Sequence, residues 1–229
     1  ASATEAALFL NILKVILILL VVIAIIVGVI YVQQGIRKIP VQYAKRVVGR
    51  KMYGGQSTHI PLKVNAAGVI PVIFALSLLL FPYTIASFFT GNPVADWIIA
   101  NTYYDTPLGG TLYVLLIIGF TFFYTFVQMN PQQMSDNMKK NGGYIPGIRP
   151  GVATTKYLTR IISRITLSGA IFLAAVSILP VFFGSLAGLP NTVTVGGTSL
   201  LIVVGVALET MKQIESQLIK RHYKGFINR

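Results

Sequence analysis

The sequence contains no cysteine and few charged residues, and each of these absences excludes a class of protein. Without cysteine, the chain can form neither a disulfide framework nor a thiolate metal site. Charged residues make up 11% of the chain, whereas a soluble domain carries about a quarter. Acidic residues number 6, against 19 Lys and Arg. This composition excludes an ordinary soluble domain and predicts a membrane protein.

Sequence motifs of common enzymes are also absent. The chain contains no HExxH, GxSxG or P-loop sequence, and its two histidines, His59 and His222, lie in hydrophilic segments. We therefore expect no enzyme activity, no cofactor and no metal site. Any step that requires energy would have to be driven by a partner.

Long apolar runs, by contrast, fill much of the chain. A helix needs about 20 mostly apolar residues to cross a bilayer, and the turn sequence Gly188-Leu189-Pro190-Asn191 divides the uncharged stretch 165–208 into two such helices. Five spans are therefore predicted, near residues 8–32, 64–81, 112–129, 165–183 and 198–217. Pro71 is expected to kink the second span. The fold class predicted is an all-α polytopic membrane protein, with residues 1–229 as a single domain.

Positive charge alternates between the loops that join these spans. Loop 33–63 holds seven Lys and Arg, loop 130–164 holds six, and loop 82–111 holds none. Basic residues accumulate on the cytoplasmic side of membrane proteins, so we predict that both basic loops and the tail 218–229 are cytoplasmic. The first residue then lies outside. An outside start with an odd number of spans is expected of a fragment of a longer protein.

Loop 33–63 has strand-forming residues on both sides of Gly49-Arg50-Lys51. This pattern predicts a β-hairpin with Arg50 and Lys51 at its tip. The alternative is a solvated charged loop near anionic headgroups, where each basic residue contributes about 1 kcal/mol. A folded basic projection would instead indicate a docking surface for an acidic partner, such as a protein or ribosomal RNA.

Loop 130–164 contains a second distinctive segment, residues 142–151, with four Gly and two Pro. This composition excludes a helix and predicts a compact, turn-rich tip. Arg149 lies directly before Pro150, where its guanidinium would be held on a nearly rigid backbone. That setting favours recognition of a partner over simple solvation.

The predicted spans are poor in charge. Polar residues within them, such as Ser77 and Thr121, are expected to bond to their own helix or to a neighbouring one. Ion-coupled transporters need carboxylates, histidines or paired basic groups inside the membrane. The scarcity of such groups disfavours an ion-coupled transporter.

Five segments, at residues 39–46, 56–71, 80–82, 142–151 and 196–203, share their sequence pattern with a known family. The most distinctive are 56–71, which reads QSTHIPLKVNAAGVIP, and the Gly- and Pro-rich segment 142–151. Together they resemble the C-terminal half of the SecY family of bacterial protein-conducting channels. The resemblance implies spans six to ten of that family, which form one half of an inverted-repeat channel with a cytoplasmic β-hairpin loop.

The resemblance also implies roles for individual residues. Two isoleucines would belong to an apolar ring that constricts the pore, three residues would lie at the lateral gate, and four basic residues would bind the motor or ribosome. The pore-ring residues are Ile73 and Ile202, the gate residues are Asn65, Pro71 and Phe81, and the docking residues are Arg46, Arg50, Lys51 and Arg149. Without the resemblance, ordinary helix packing would be the preferred interpretation of each isoleucine.

A SecY-type chain is implied to pass unfolded secretory polypeptides across the bacterial cell (inner) membrane and to release hydrophobic segments into lipid. The partners implied are the N-terminal half of SecY, SecE, SecG, the SecA motor ATPase, the ribosome, membrane lipid and a translocating polypeptide with its signal sequence. No small-molecule substrate is expected.

Two alternatives belong to other functional classes. One is a single repeat of an inverted-repeat secondary transporter, which the scarcity of intramembrane charge and the large basic loops disfavour. The other is a nucleic-acid-binding membrane protein. This second alternative rests on the net charge of +13 alone, which the cytoplasmic bias of basic residues already explains.

Overall fold

The computed structural model describes residues 2–43, 46–48, 51–53, 57–103, 106–187 and 197–227. The helices in these residues are α1 (Ser2–Gln34), α2 (Ile70–Ser87), α3 (Pro93–Thr102), α4 (Pro107–Gln128), α5 (Pro131–Lys140), α6 (Val152–Ala187) and α7 (Gly197–Ile227). The strands are β1 (Ile36–Tyr43), β2 (Arg46–Val48), β3 (Lys51–Tyr53), β4 (Ser57–Lys63) and β5 (Gly143–Tyr144).

The chain divides into two compact units, within residues 1–31 and 175–229 and within residues 32–174. The first unit contains most of α1, the end of α6 and α7, and its buried residues include Val29 and Leu201. The second unit contains the strands, α2 to α5 and most of α6.

Four segments of the described residues are long and apolar enough to cross a membrane. They are Val15–Gln34, Ile70–Ser87, Pro107–Lys140 and Val152–Leu179. The fold is therefore mostly helical and suited to a membrane, as composition predicts. The fifth predicted span, 198–217, lies in α7 of the first unit, which is not among the four. The predicted turn at 188–191 lies outside the described residues.

The second predicted span needs a correction at its start. We expected helix over 64–81 with a kink at Pro71, but α2 begins at Ile70 and Pro71 occupies its first turn. Residues 64–69 form turns instead, and Gly68 has a φ of 65°, a backbone conformation that does not fit a right-handed helix. Proline in a first turn costs no hydrogen bond, so the expectation of a kink at Pro71 was wrong. Pro82 is the proline inside this helix.

Other helices differ from the predicted spans in length or were not predicted. Helix α4 starts before the predicted 112–129, and α6 extends well before and slightly beyond the predicted 165–183. Helices α3 and α5 are each 10 residues long and lie in segments that we had assigned as loops. Each helix is preceded by an Asn whose side chain accepts a hydrogen bond from a backbone amide of the first turn. Pro is the first residue of each helix.

Loop 33–63 is built largely of paired strands. Strand β1 pairs antiparallel with β4 from Ile36↔Lys63 to Gln42↔Ser57, and β5 pairs with the end of β1 in a sheet of order β4-β1-β5. Strands β2 and β3 pair antiparallel in a second sheet. This strand pairing favours a folded projection in the described residues, and the alternative of a solvated charged loop near anionic headgroups stays open.

One hydrophobic core joins the two basic loops. It consists of buried side chains from β1, β4, α5, the segment after β5, and α6. These residues are Ile39, Val41, Leu62, Met138, Ile145, Leu158, Ile161 and Ile162. In β1 the buried and exposed residues alternate around Ile39 and Val41, as expected of a strand with one face on a core. The two loops thus fold as one body.

Candidate docking module and gate region

We call the body formed by β1, β4, β5, α5, residues 142–151 and the first turns of α6 the basic module. Its Lys and Arg side chains are exposed around the shared core. They are Arg37, Lys38, Lys63, Lys139, Lys140, Arg149, Lys156 and Arg160. Asp136 is the acidic residue in these same segments. The module therefore presents a folded, strongly positive surface, which suits an acidic partner.

Segment 142–151 is a compact, irregular tip, as its composition predicts. Gly142, Gly147 and Gly151 have φ values of 69°, 81° and 106°, a region that residues with a side chain rarely adopt. The Ile148 amide donates to the carbonyl oxygen of Ile145 at 3.0 Å, which closes a turn around Pro146-Gly147. The positive-φ glycines thus allow the chain to reverse between α5 and α6 in few residues.

Two buried hydroxyl groups fix the backbone on both sides of Pro150. The Thr154 Oγ1 donates to the carbonyl oxygen of Arg149 at 2.9 Å, and the Ser135 Oγ donates to the carbonyl oxygen of Gly151 at 3.1 Å. Both hydroxyl-bearing residues are buried, whereas Arg149 is exposed. The backbone around Arg149 is therefore held in place while its side chain is exposed to solvent.

The start of the tip is attached directly to the sheet. Tyr144 Oη donates to Gln42 Oε1 at 3.1 Å, and a Cβ placed on Gly143 would lie 2.9 Å from Cε1 of Tyr43. A side chain at position 143 would therefore collide with the Tyr43 ring. This close approach holds the tip of loop 130–164 beside the end of β1.

Two of the predicted docking residues, Arg46 and Lys51, lie in the β2–β3 pair. Arg46 pairs with Tyr53, and Lys51 pairs with Val48, which is the strand pairing expected of a hairpin. The side chains of Arg46 and Lys51, and Arg50 itself, lie outside what the structure describes. Their grouping with Arg149 therefore stays a prediction.

The predicted gate residue Asn65 lies in the turn before α2. Its Nδ2 donates to the carbonyl oxygen of Gly68 at 3.2 Å, and its Oδ1 is buried with no partner among the described residues. A Cβ placed on Gly169 of α6 would lie 2.9 Å from the carbonyl oxygen of Val64, so α6 packs directly against this turn. The Nδ2 of Asn65 thus has a hydrogen-bond partner and its Oδ1 has none among the described residues. Close backbone packing between α6 and Val64 holds the turn in place.

The other predicted pore and gate residues are mostly exposed. Pro71 is buried in the first turn of α2, whereas Ile73 and Phe81 of the same helix are exposed. Ile202 is exposed on α7 in the first unit. Ser77 and Thr121 bond to the carbonyl oxygens four residues earlier, at 2.8 and 2.6 Å, which confirms the expectation for these two spans.

Sequence reasoning missed Ser135, Thr154 and Gly169 as site residues. Ser135 and Thr154 each lie in a polar segment, where one more hydroxyl attracts no notice. The short sequence Ser168-Gly169-Ala170 was a usable signal for Gly169, because small residues let backbones approach closely in membrane helices.

The geometry is that of a helical membrane protein with a folded, basic module. A family model described as SecY matches residues 1–211. The chain belongs to the SecY family.

Three curated relatives show how close this relationship is. Each is a protein translocase subunit SecY, from Halalkalibacterium halodurans, Bacillus subtilis and Staphylococcus aureus, with 66%, 60% and 50% identity over 96%, 96% and 93% of this chain. The alignments cover 51%, 51% and 50% of those proteins. The chain thus spans about half the length of the curated relatives it matches.

Two solved structures share the fold. One is described as a protein-conducting channel and has a TM-score of 0.50; the other concerns the plug domain and the closed state of the SecY channel and has a TM-score of 0.52. Each is 19% identical to this chain, and the matches cover 86% and 88% of it and 48% and 49% of those chains.

Proposed function

We propose that this chain is the C-terminal half of the central channel subunit of the Sec protein translocase. In this function it passes unfolded secretory polypeptides across the membrane and releases hydrophobic segments into lipid through a lateral gate. The family match over residues 1–211 carries the proposal. It supports a translocase subunit over one repeat of a secondary transporter. The chain would act as a passive channel without enzyme activity.

The basic module is the proposed docking site for the driving partner, the SecA motor or the ribosome. Its support is physical. A positive surface built on one hydrophobic core can meet an acidic partner without first folding, and the Arg149 backbone is held by two buried hydroxyls. A charge at a preorganised position loses less entropy on binding than one on a flexible loop. Arg46 and Lys51 of the β2–β3 pair, together with Arg50, are proposed to extend the same surface.

The test is a charge reversal, Arg149→Glu, in the full-length protein assembled with its partners. We expect motor-driven secretion to be lost, because an exposed, rigidly held cation is replaced by an anion facing an acidic partner. Membrane insertion and abundance should be unchanged, since Arg149 contributes no side chain to the core.

Lys139→Glu is the matched control, because Lys139 is exposed in the same module but lies on α5, outside the tip. Export should fall far less in this variant. Normal export by Arg149→Glu at normal abundance would reject the assignment of Arg149 to the docking site. Equal export defects in both variants would show that the loss reflects the charge of the module and not the position of Arg149.

The apolar constriction is proposed to include Ile73 and Ile202, which are exposed in their own units. A ring of isoleucine side chains excludes water and ions, yet can separate around an extended polypeptide. Asn65, Pro71 and Phe81 are proposed to lie at the lateral gate. The Oδ1 of Asn65 is buried and has no partner among the described residues, which supports a hydrogen bond across the gate in the closed state.

The proposed membrane arrangement has five spans, with α7 as the fifth, although Glu209 and Lys212 make its second half polar. The first residue would lie outside, and the basic module and C-terminal tail would be cytoplasmic. In the bacterial cell membrane, the chain would assemble with the N-terminal half of SecY, SecE and SecG.

A further inference from the structure

Helix α3 exposes apolar side chains where a helix facing water would carry polar ones. Ala95 and Thr102 are buried, while Val94 and Trp97 are 66% and 58% exposed. Positions 94 and 97 are three residues apart and so lie on one side of the helix. A surface helix in water places polar residues on its outer side. The exposed charge of α3 is Asp96 in its first turn, whose carboxylate accepts from the Gly91 amide at 3.5 Å. Apart from this residue, the outer side of α3 suits a medium less polar than water.

The apolar surface continues beyond α3 onto the ends of its neighbours. Phe88 and Phe89 follow α2, and their amides donate to the carbonyl oxygens of Ile85 and Ala86 at 3.2 and 3.0 Å. Phe88 is 80% exposed. The outer apolar patch, as we call it, consists of Phe88, Phe89, Val94, Trp97 and Leu108.

Helix α3 is attached to the flanking helices on both sides. The rings of Tyr83 in α2 and Tyr103 after α3 have centroids 5.7 Å apart. Thr106 Oγ1 donates to the carbonyl oxygen of Asn101 at 2.7 Å and caps α4 by accepting from the Gly109 amide at 3.1 Å. The patch is thus a fixed feature at the ends of two candidate membrane spans.

We propose that the outer apolar patch binds a lipid surface. Helix α3 lies in the boundary between headgroups and acyl chains, on the membrane face opposite the basic module. Two observations select lipid as the occupant. The patch is continuous with α2 and α4, whose hydrophobic lengths suit a membrane, and it contains Trp and is flanked by Tyr, which concentrate at this boundary. This inference rests on α2 and α4 crossing the membrane and does not depend on polypeptide transport.

Trp97 is the single tryptophan of the chain and is therefore a native reporter. The experiment uses the full-length protein, with tryptophans outside this chain replaced by Phe, in vesicles of phosphatidylcholine and phosphatidylglycerol. Trp97 emission should shift to shorter wavelength. Phosphatidylcholine brominated near its headgroup should quench it more than phosphatidylcholine brominated near the chain ends, because an interfacial helix is buried by about 5–10 Å. Acrylamide in the water should quench it weakly.

A second reporter and a pair of matched variants complete the test. Trp97→Phe with Val152→Trp moves the reporter to an exposed site in the basic module, where acrylamide should quench and brominated lipid should not. Val94→Asp should shift Trp97 emission to longer wavelength, whereas Val152→Asp should leave it unchanged. Strong quenching of Trp97 by acrylamide alone would overturn the proposal, because it would show that the patch faces water. Quenching by neither reagent would overturn it in favour of a covering protein. Stronger quenching by bromine near the chain ends would overturn it in favour of a segment embedded in the membrane.

Discussion

At the scale of single residues, Thr154 shows how a buried hydroxyl can serve an exposed charge. Its side chain is shielded from solvent, and its hydrogen bond ends on the backbone of Arg149, the residue proposed to meet the partner. The sequence pattern indicates the arginine, because a charge within a Pro- and Gly-rich segment is conspicuous. It cannot select the threonine, since a hydroxyl-to-carbonyl bond over five residues leaves no periodic signal.

Replacing this hydroxyl should weaken docking without changing surface charge. Thr154→Val keeps the shape of the side chain but removes the donor to the Arg149 carbonyl, and loss of one such hydrogen bond costs about 0.5–1.5 kcal/mol. We expect motor affinity to fall, but by less than in Arg149→Glu, and thermal stability to fall modestly. Affinity of the full-length complex for the motor and thermal unfolding in detergent measure the two effects.

Thr159→Val is the control for this change. The Thr159 hydroxyl also donates to a backbone carbonyl, that of Thr155 at 2.9 Å, but it lies within α6 and away from the tip. Its loss should leave motor affinity unchanged. Equal affinities for the two valine variants would show that the Thr154 bond does not position Arg149.

At the scale of elements, hydrophobic length located the membrane helices but did not place their ends. Residues 64–69 are uncharged and mostly apolar, yet Gly68 adopts a positive φ and Pro71 lies in the first turn of the helix rather than bending it. A sum of hydropathy carries no information on backbone angles. Turn and cap residues do, and Asn92-Pro93 and Asn130-Pro131 are the signals by which α3 and α5 could have been found.

The candidate site was predictable to a similar extent. Glycine and proline content located the tip at 142–151, because these residues act on the backbone directly. The joining of two loops by one core was not predictable, since it depends on contacts such as that between Ile39 and the α6 side chains, far apart in sequence. Long-range packing of this kind leaves no local pattern.

The close contact between α6 and the turn before α2 predicts that adding a single methyl group at Gly169 destabilises the fold. Gly169→Ala places a Cβ 2.9 Å from the carbonyl oxygen of Val64, so helix or turn must shift. We expect a loss of about 1–3 kcal/mol of stability, the usual cost of overpacking. Thermal unfolding of the purified full-length protein in detergent measures it.

Gly119→Ala in α4 provides the opposite case. A Cβ at this position meets nothing within 4 Å, so the variant should be neutral or more stable by up to about 1 kcal/mol from helix propensity alone. If Gly169→Ala were as stable as Gly119→Ala, the close approach of α6 to Val64 would not contribute to the fold.

At the scale of the whole molecule, the two ends of α2 and α4 carry opposite chemistry. Their cationic side is the basic module, folded on its own core and suited to an acidic partner. Their other side is the outer apolar patch, with tryptophan and phenylalanine and without Lys or Arg in the predicted loop 82–111. Lipid contact by α3 would fix the ends of α2 and α4 that lie away from the basic module.

The proposed constriction can be tested only in a complete channel, because this chain spans about half the length of its relatives. Changing Ile73 and Ile202 together to Ser should raise ion leak through the full-length protein in planar bilayers. A polar ring stays hydrated where an isoleucine ring expels water. A barrier lowered by about 1.4 kcal/mol raises a rate about tenfold, and we expect an increase of at least that order.

Ile85 and Ile214 are the matched controls, since they are also exposed isoleucines of α2 and α7. The same double change to Ser at these positions should leave conductance near that of the unaltered channel, because they lie three turns further along each helix from the proposed ring. An unaltered conductance in the Ile73 and Ile202 variant would remove both residues from the constriction. A leak of equal size in both double variants would attribute the effect to loosened helix packing rather than to the loss of an apolar seal.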